Sequence, residues 1–103
     1  MSEKVLPIPC TNVEEKTVKD WFQKINEELD ELKDATVYNL YLSNGVGCAK
    51  DIYAPEERYK IAEEAADTIT AITSMLEAMG IDEDMRQDAQ KRVNERNKER
   101  GRF

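Results

Sequence analysis

The sequence predicts an all-α fold: a four-helix bundle that oligomerises through helix packing. Apolar residues near the N-terminus recur at intervals of four, three, four and three positions, which is the period of an amphipathic helix. Glycine, proline and aspartate stand where helices would begin and end. No segment combines strand-like alternation with a hairpin turn. The 103 residues fit one domain, with residues 1–12 as an extended N-terminal arm and residues 13–103 as a single all-α domain.

The first helix is predicted over residues 13–35. Thr11 or Asn12 can cap its N-terminus, and Glu14 and Glu15 suit the positive end of the helix dipole. Its regular spacing predicts a buried apolar stripe made of Val18, Phe22, Ile25, Leu29 and Leu32.

The other three helices are predicted from their boundaries. A short helix over 37–43 precedes a glycine-containing loop. Proline suits the first turn of a third helix over 55–79, which ends at Gly80. Asp82 can cap a fourth helix that extends to about residue 100.

Net charge and histidine content limit the function. The formal charge of −7 disfavours nonspecific binding to nucleic acid or to an anionic membrane. The chain contains no histidine, which excludes histidine-based acid–base catalysis and histidine-ligated metals. If the protein is an enzyme, its carboxylates must do the chemistry.

Cys10 and Cys48 stand apart in the sequence, as expected for free thiols in a reducing compartment. No signal peptide is recognisable near the N-terminus, and no apolar stretch approaches the length of a membrane span. We therefore expect a cytoplasmic protein.

Residues 63–76 change abruptly in character. Glu63, Glu64 and Asp67 are followed by nine residues without a charge, in a chain that is 36% charged. A helix without charge on any side is usually buried on all sides, so this segment is predicted to be the central helix of the bundle. Asp67 should then face another helix, of this chain or of a second subunit. The main apolar stripe of this helix is predicted to be Ile61, Ala65, Ile69, Ile72, Leu76 and Met79.

Two predicted helices each carry a pair of carboxylates three positions apart, Glu28 with Glu31 and Glu64 with Asp67. Residues at this spacing share a helix face. Four carboxylates that converge from two helices form an oxygen-rich site for Mg²⁺ or Mn²⁺. The alternative is an acidic face in solvent, which is our interpretation for Glu27 and Asp30.

The C-terminal segment 91–103 is basic at six of its thirteen positions. Such a run is usually solvated. Here, however, Arg96 and Arg100 continue the apolar side of the fourth helix, and Asn97 flanks it. An inward arginine beside a cluster of carboxylates and metal suits a phosphate group. The apolar side that they continue is set by Met85, Ala89 and Val93.

Three segments together resemble the MazG-like nucleoside triphosphate pyrophosphohydrolases of the all-α NTP pyrophosphatase superfamily. They are EELDEL (27–32), EEAADTITAITSML (63–76) and NKERGRF (97–103). The family signature is ExxE on one helix and ExxD on a later one. The resemblance implies a MazG-like four-helix bundle, assembled as a homodimer or homotetramer. It also implies hydrolysis of a small-molecule NTP or dNTP to the monophosphate and pyrophosphate.

The resemblance also implies roles for individual residues. Glu31 would position the attacking water or take its proton. The candidates for stacking on the base are Trp21, Tyr38 and Tyr41, and for Trp21 the alternative is core or dimer packing. The acids that would hold Mg²⁺ or Mn²⁺ are Glu28, Glu31, Glu64 and Asp67, and the phosphate ligands would be Arg96, Asn97 and Arg100.

One departure and two alternatives remain. Thirty-two residues separate Glu31 from Glu64, more than is usual in the family, which affects the shape of the pocket. The first alternative is phosphoribosyl-ATP pyrophosphohydrolase, a sister enzyme, although the ending NKERGRF favours the MazG-like group. The second is a non-catalytic helical protein that binds a partner.

Overall fold

A computed structural model describes residues 5–42 and 53–102, with the side chains of 37–42 excepted. This part of the chain contains a 3₁₀ turn, Val13–Glu15, and three α-helices. They are α1 (Val18–Leu42), α2 (Pro55–Ala78) and α3 (Glu83–Glu99). The described residues form no strand, which confirms the all-α class.

The separate short helix predicted over 37–43 is wrong for its described part, because residues 37–42 are the last turns of α1. No glycine or proline interrupts the chain between the predicted first and second helices, so nothing ends the helix there. Residue 43 and the glycines after it lie outside the described residues.

Helix α1 begins five residues later than predicted, at Val18. Thr17 and Asp20 form a reciprocal capping box: the Thr17 amide donates to Asp20 Oδ2, and the Asp20 amide donates to Thr17 Oγ1, both at 3.1 Å. Asn12 has a left-handed backbone (φ 56°) and precedes only the 3₁₀ turn, and Lys16 is extended. The predicted cap at Thr11 or Asn12 is therefore wrong, because the Thr17–Asp20 pair satisfies the amides that a helix start exposes.

The predicted boundaries of α2 and α3 are confirmed to within a residue. Pro55 occupies the first position of α2, and Gly80 ends that helix with φ 79°. The Gly80 amide donates to Glu77 O at 3.0 Å and the Ile81 amide to Leu76 O at 2.9 Å, which is a Schellman motif. Asp82 caps α3 by accepting from the Met85 amide at 2.9 Å.

Helices α1 and α2 pack together around a small core of Trp21, Ile25, Ala71 and Met75. The face that α2 presents to this core is its small-residue side, including the fully buried Ser74. Small side chains let two helices approach closely, and the hydroxyl groups of Thr68, Thr73 and Ser74 donate to carbonyl oxygens one turn earlier.

The predicted apolar stripes therefore do not form the core of the single chain. On α1, Ile25 is buried but Val18, Phe22 and Leu29 are exposed; on α2, the exposed members are Ile69, Ile72 and Met79. Helical period identifies an apolar face, but it does not identify which helix covers that face. In this chain most of the large side chains of the predicted stripes remain accessible, whereas Trp21 and Met75, which lie outside those stripes, are buried.

Helix α3 makes few contacts with α1 and α2. Arg86 connects the first turns of α3 to the end of α2 by donating hydrogen bonds to Glu77 Oε2 and to Ile81 O, both at 2.7 Å. Farther along, a groove of about 510 Å³ separates α2 from α3, and Leu6 and Pro7 of the N-terminal arm contribute to its lining. The arm is held by a 2.9 Å hydrogen bond from the Cys10 amide to Ser74 Oγ.

Among the described helices, none has the length and apolarity needed to span a bilayer.

Candidate active site

The packing of α1 on α2 brings three of the four predicted metal-binding acids together. One carboxylate oxygen each from Glu28, Glu64 and Asp67 lies within 4.8 Å of the other two. Glu64 and Asp67 share a face of α2 because they are three positions apart, and Glu28 reaches them from the buried face of α1. Asp67 is directed at another helix, as predicted, but it is exposed at the edge of the cluster.

Two buried carboxylate oxygens in this cluster have no hydrogen-bond partner among residues 5–42 and 53–102. Glu28 is 7% exposed and Glu64 is half-buried, yet Oε2 of each is buried without a hydrogen bond. A buried carboxylate oxygen without a donor or cation is costly in free energy. Oxygens in this arrangement are the ligands that Mg²⁺ and Mn²⁺ prefer, so the residues present fit a divalent cation.

Glu31, the fourth predicted acid, lies exposed beside these three. The negative charge of Glu28 raises the pKa of the Glu31 carboxyl, with smaller effects from burial and from the charge of Glu64. Glu31 is therefore close enough for the charges of Glu28 and Glu64 to affect its pKa, although it is outside the group of three acids whose oxygens converge.

Lys24 also lies at the candidate site, which the sequence pattern did not predict. Its ammonium lies 2.8 Å from Glu28 Oε1. The hydrogen bond to Glu28 raises the pKa of Lys24, with help from the charge of the same carboxylate. Its position four residues before Glu28, one helical turn away, was the signal that could have identified it.

The predicted phosphate ligands on α3 are not brought to the acids within one chain. Arg96 and Arg100 are exposed, and no ion pair in the described residues joins either of them to the acidic cluster. Asn97 accepts a hydrogen bond from Arg102 at 2.9 Å. Arg96 does share a shallow surface with Met85 and Val93, the helix side on which it was predicted.

Trp21 is in the core, only 4% exposed. Its indole N–H donates to Val13 O at 3.3 Å, and the Lys16 ammonium lies 4.9 Å from the centre of the ring. These contacts support the packing role that was weighed against stacking on a base. The side chains of Tyr38 and Tyr41, the other stacking candidates, lie outside the described residues.

Comparison with known proteins adds one finding to this geometry. The family model for phosphoribosyl-ATP pyrophosphohydrolase matches residues 1–97, which include all four acids. No curated protein and no solved structure matches the chain.

Proposed function

The chain belongs to the phosphoribosyl-ATP pyrophosphohydrolase family, and from that premise we propose a metal-dependent reaction at the cluster of Glu28, Glu64 and Asp67. The family lies within the MazG-like all-α NTP pyrophosphatase superfamily. The protein is thus a pyrophosphohydrolase, a hydrolase that acts on acid anhydrides. The observation that supports the site is a pair of buried carboxylate oxygens, on Glu28 and Glu64, for which the described part of the chain supplies no hydrogen-bond partner.

We propose that these three acids, with Glu31 beside them, hold Mg²⁺ or Mn²⁺. When bound, the cation would neutralise phosphate charge and polarise the reacting phosphorus–oxygen bonds. Glu31 is exposed at the edge of the cluster, where it can orient a water molecule and accept its proton. The water oxygen bonds to the α-phosphorus, the anhydride bond to the β-phosphate breaks, and pyrophosphate leaves.

Two substrate classes follow from different observations. The family match favours phosphoribosyl-ATP. The C-terminal NKERGRF segment, which resembles the MazG-like group, favours an ordinary NTP or dNTP. Both carry the same triphosphate, so the cluster serves either, and we place phosphoribosyl-ATP first because the match covers most of the chain. We place the reaction in the cytoplasm, where an exposed free thiol such as that of Cys10 is ordinary.

We further propose that residues 13–103 act as one domain of a homodimer, or of a homotetramer built from such dimers. A second copy could bury the exposed apolar side chains on α1 and α2. The C-terminal half of α3 is basic, whereas the chain as a whole is acidic. In a dimer, Arg96, Asn97 and Arg100 of one copy would reach phosphates bound at the acids of the other, by charge complementarity.

The test is a hydrolysis screen of the purified protein with Mg²⁺, phosphoribosyl-ATP and a panel of NTPs and dNTPs, with pyrophosphate resolved from orthophosphate. Pyrophosphate plus the monophosphate product is expected. Glu64→Gln should lower kcat/KM by about 100-fold or more. Loss of a residue that only supports a metal ligand costs about 10- to 100-fold, and loss of a ligand itself should cost at least as much. Glu63→Gln is the matched control, because this exposed neighbour is outside the cluster.

Three outcomes would count against the proposal. Orthophosphate as the released product would contradict the bond assignment. Full activity in Glu64→Gln would contradict the site. No hydrolysis of any compound in the panel, together with no effect of Mg²⁺ on Tm, would favour a non-catalytic helical protein.

A further inference from the structure

The Lys24–Glu28 ion pair joins a solvent-facing cation to an interior anion. Lys24 Nζ lies 2.8 Å from Glu28 Oε1, and the Lys24 side chain is 45% exposed whereas that of Glu28 is 9% exposed. The other oxygen of Glu28, Oε2, is buried and has no hydrogen-bond partner among the described residues, and Glu28 contributes one carboxylate oxygen to the cluster with Glu64 and Asp67. One carboxylate is therefore shared between an ammonium at the rim and the candidate metal position inside.

This pair differs from an ordinary pair on a helix surface. When lysine precedes glutamate by four positions, the orientation is the less favourable one for helix stability. Glu28 is nevertheless buried beside two further acids, where a cation is needed to offset the cost of burial. Within the described residues, the ion pair that reaches the acidic cluster is the one made by Lys24.

We infer that Lys24 is an exchangeable counter-ion, which neutralises Glu28 in the metal-free protein and moves to a phosphate oxygen when metal and substrate bind. The inference rests on the proposed function. A divalent cation at the cluster and the Lys24 ammonium repel each other and compete for Glu28, so Lys24 weakens the binding of metal alone. The displaced ammonium sits on a long, flexible stem at the rim, where it can pair with an anionic phosphate.

With Lys24 present, the site should bind a metal–polyphosphate complex in preference to free metal, because the phosphate gives the displaced ammonium a new partner. Two binding events that each change the other's affinity define a coupling, and the coupling is reciprocal. Replacing Lys24 by a neutral residue should therefore change the two affinities in opposite directions. A purely structural ion pair would not do this.

The experiment measures two affinities by titration calorimetry: that of Mn²⁺ alone, and that of inorganic pyrophosphate at saturating Mn²⁺. Lys24→Met should bind Mn²⁺ alone about tenfold more tightly than wild type and pyrophosphate about tenfold more weakly, a coupling of ordinary size. Lys24→Arg should retain the wild-type pattern, because it keeps the charge. Lys33→Met is the control, because it removes the same charge from an exposed position of the same helix, and Lys33 forms no ion pair with the acids in the described part of the chain.

The outcomes separate this inference from the function on which it rests. If wild type and Lys24→Met bind Mn²⁺ equally, while Glu64→Gln does not bind it, the metal site stands and the role of Lys24 is overturned. Equal shifts in Lys24→Met and Lys33→Met would overturn it too, since they would reflect net charge alone. Failure of the wild-type protein to bind Mn²⁺ would overturn the proposed function, and this inference with it.

Discussion

Glu28 is the member of the candidate site that is both charged and buried. It follows Trp21 and Ile25 on the face of α1 that packs against α2, a face on which an apolar residue would ordinarily stand. We expect a carboxylate there to lower the stability of the metal-free protein, because it is buried next to two further acids, Glu64 and Asp67. A residue that costs stability in one state is best explained by a second state in which a cation is bound.

Glu31→Gln tests this electrostatic strain. The negative charge of Glu28 raises the pKa of Glu31, so at neutral pH the charged Glu31 destabilises the metal-free fold. Removing that charge should raise Tm in the presence of a chelator and reduce the increase in Tm caused by Mg²⁺, as followed by thermal melts monitored by circular dichroism. Asp30→Asn, an exposed position on the solvated side of α1, is the control. A lower Tm for Glu31→Gln in chelator would contradict the account.

At the scale of single elements, capping contacts explain where the helices begin and end better than the spacing of apolar residues does. The start of α1 depends on the Thr17–Asp20 capping box, and the end of α2 depends on Gly80. Both act through backbone amide or carbonyl groups that the helix itself cannot satisfy. Two predictions follow from these contacts, one at each helix end.

Asp20→Asn should make the stability of α1 less dependent on pH. The hydrogen bond from the Thr17 amide holds the pKa of Asp20 below its ordinary value of 3.8. Because the folded-state pKa is lowered, the stabilisation is present above the unfolded-state pKa and is lost as pH falls through the folded-state pKa. Wild type should therefore exceed Asp20→Asn in Tm at neutral pH and lose that advantage below about pH 4, near the ordinary pKa of aspartate.

Thermal melts of both proteins across this pH range check the prediction, with Asp30→Asn as a control for loss of one exposed acid. A difference between wild type and Asp20→Asn that persists unchanged at low pH would show that the amide hydrogen bond does not depend on the charge of Asp20.

Gly80→Ala should destabilise the protein through the backbone alone. Gly80 has φ 79°, and a Cβ at this position would meet no atom within 4 Å. The loss in the free energy of unfolding should therefore come from holding a residue with a side chain in the left-handed conformation, and should be about 1–2 kcal/mol. Urea unfolding measures it, and Gly80→Asn should cost less because asparagine tolerates this conformation better. Equal stability of Gly80→Ala and wild type would show that residue 80 is not left-handed, and therefore that α2 ends at another residue.

At the scale of the whole molecule, several large apolar side chains of the single chain remain accessible. Phe22 is 52% exposed and Ile72 is 39% exposed, although both lie on helices that pack against each other. The basic end of α3 is likewise apart from the acids it was expected to meet. Both features are consistent with the proposed dimer, in which a second copy covers the apolar faces and supplies the basic residues.

Phe22→Glu should dissociate the oligomer, because it places a charge in the covered apolar surface. Sedimentation velocity should then show a monomer with reduced activity. Gln23→Glu adds a charge at the adjacent exposed position, off the stripe, and should leave the assembly intact. A wild-type protein that sediments as a monomer at micromolar concentration would contradict the oligomer.

Activity of mixed oligomers tests whether α3 acts across the interface. Asp67→Asn and Arg100→Ala proteins, each impaired alone, should regain activity when they are unfolded and refolded together. One site of the mixed dimer then combines intact acids with an intact α3. If each copy used its own α3, every site would keep one defect and mixing would restore nothing.

Local signals in the sequence predicted the all-α class, most helix ends and the acids of the candidate site. Pro55, Gly80 and Asp82 act through their own backbone or through amides within three residues, so the ends of α2 and α3 were predictable. The acids of ExxE and ExxD were identifiable because three-residue spacing sets a shared face whatever the helix packs against. Thr17–Asp20 is a local signal too, but the earlier candidate cap at Asn12 competed with it.

Tertiary structure decided which face is buried and what each charge meets. Helical period places Val18, Phe22 and Leu29 on one side of α1, but only the approach of α2 shows that Trp21, Ile25 and Glu28 face inward. Packing of the two helices is also what buries the oxygens of Glu28 and Glu64 that find no hydrogen-bond partner within the described ranges. The physical reason is range: caps and spacings act over one turn of a helix, whereas burial and charge pairing depend on residues far apart in the chain.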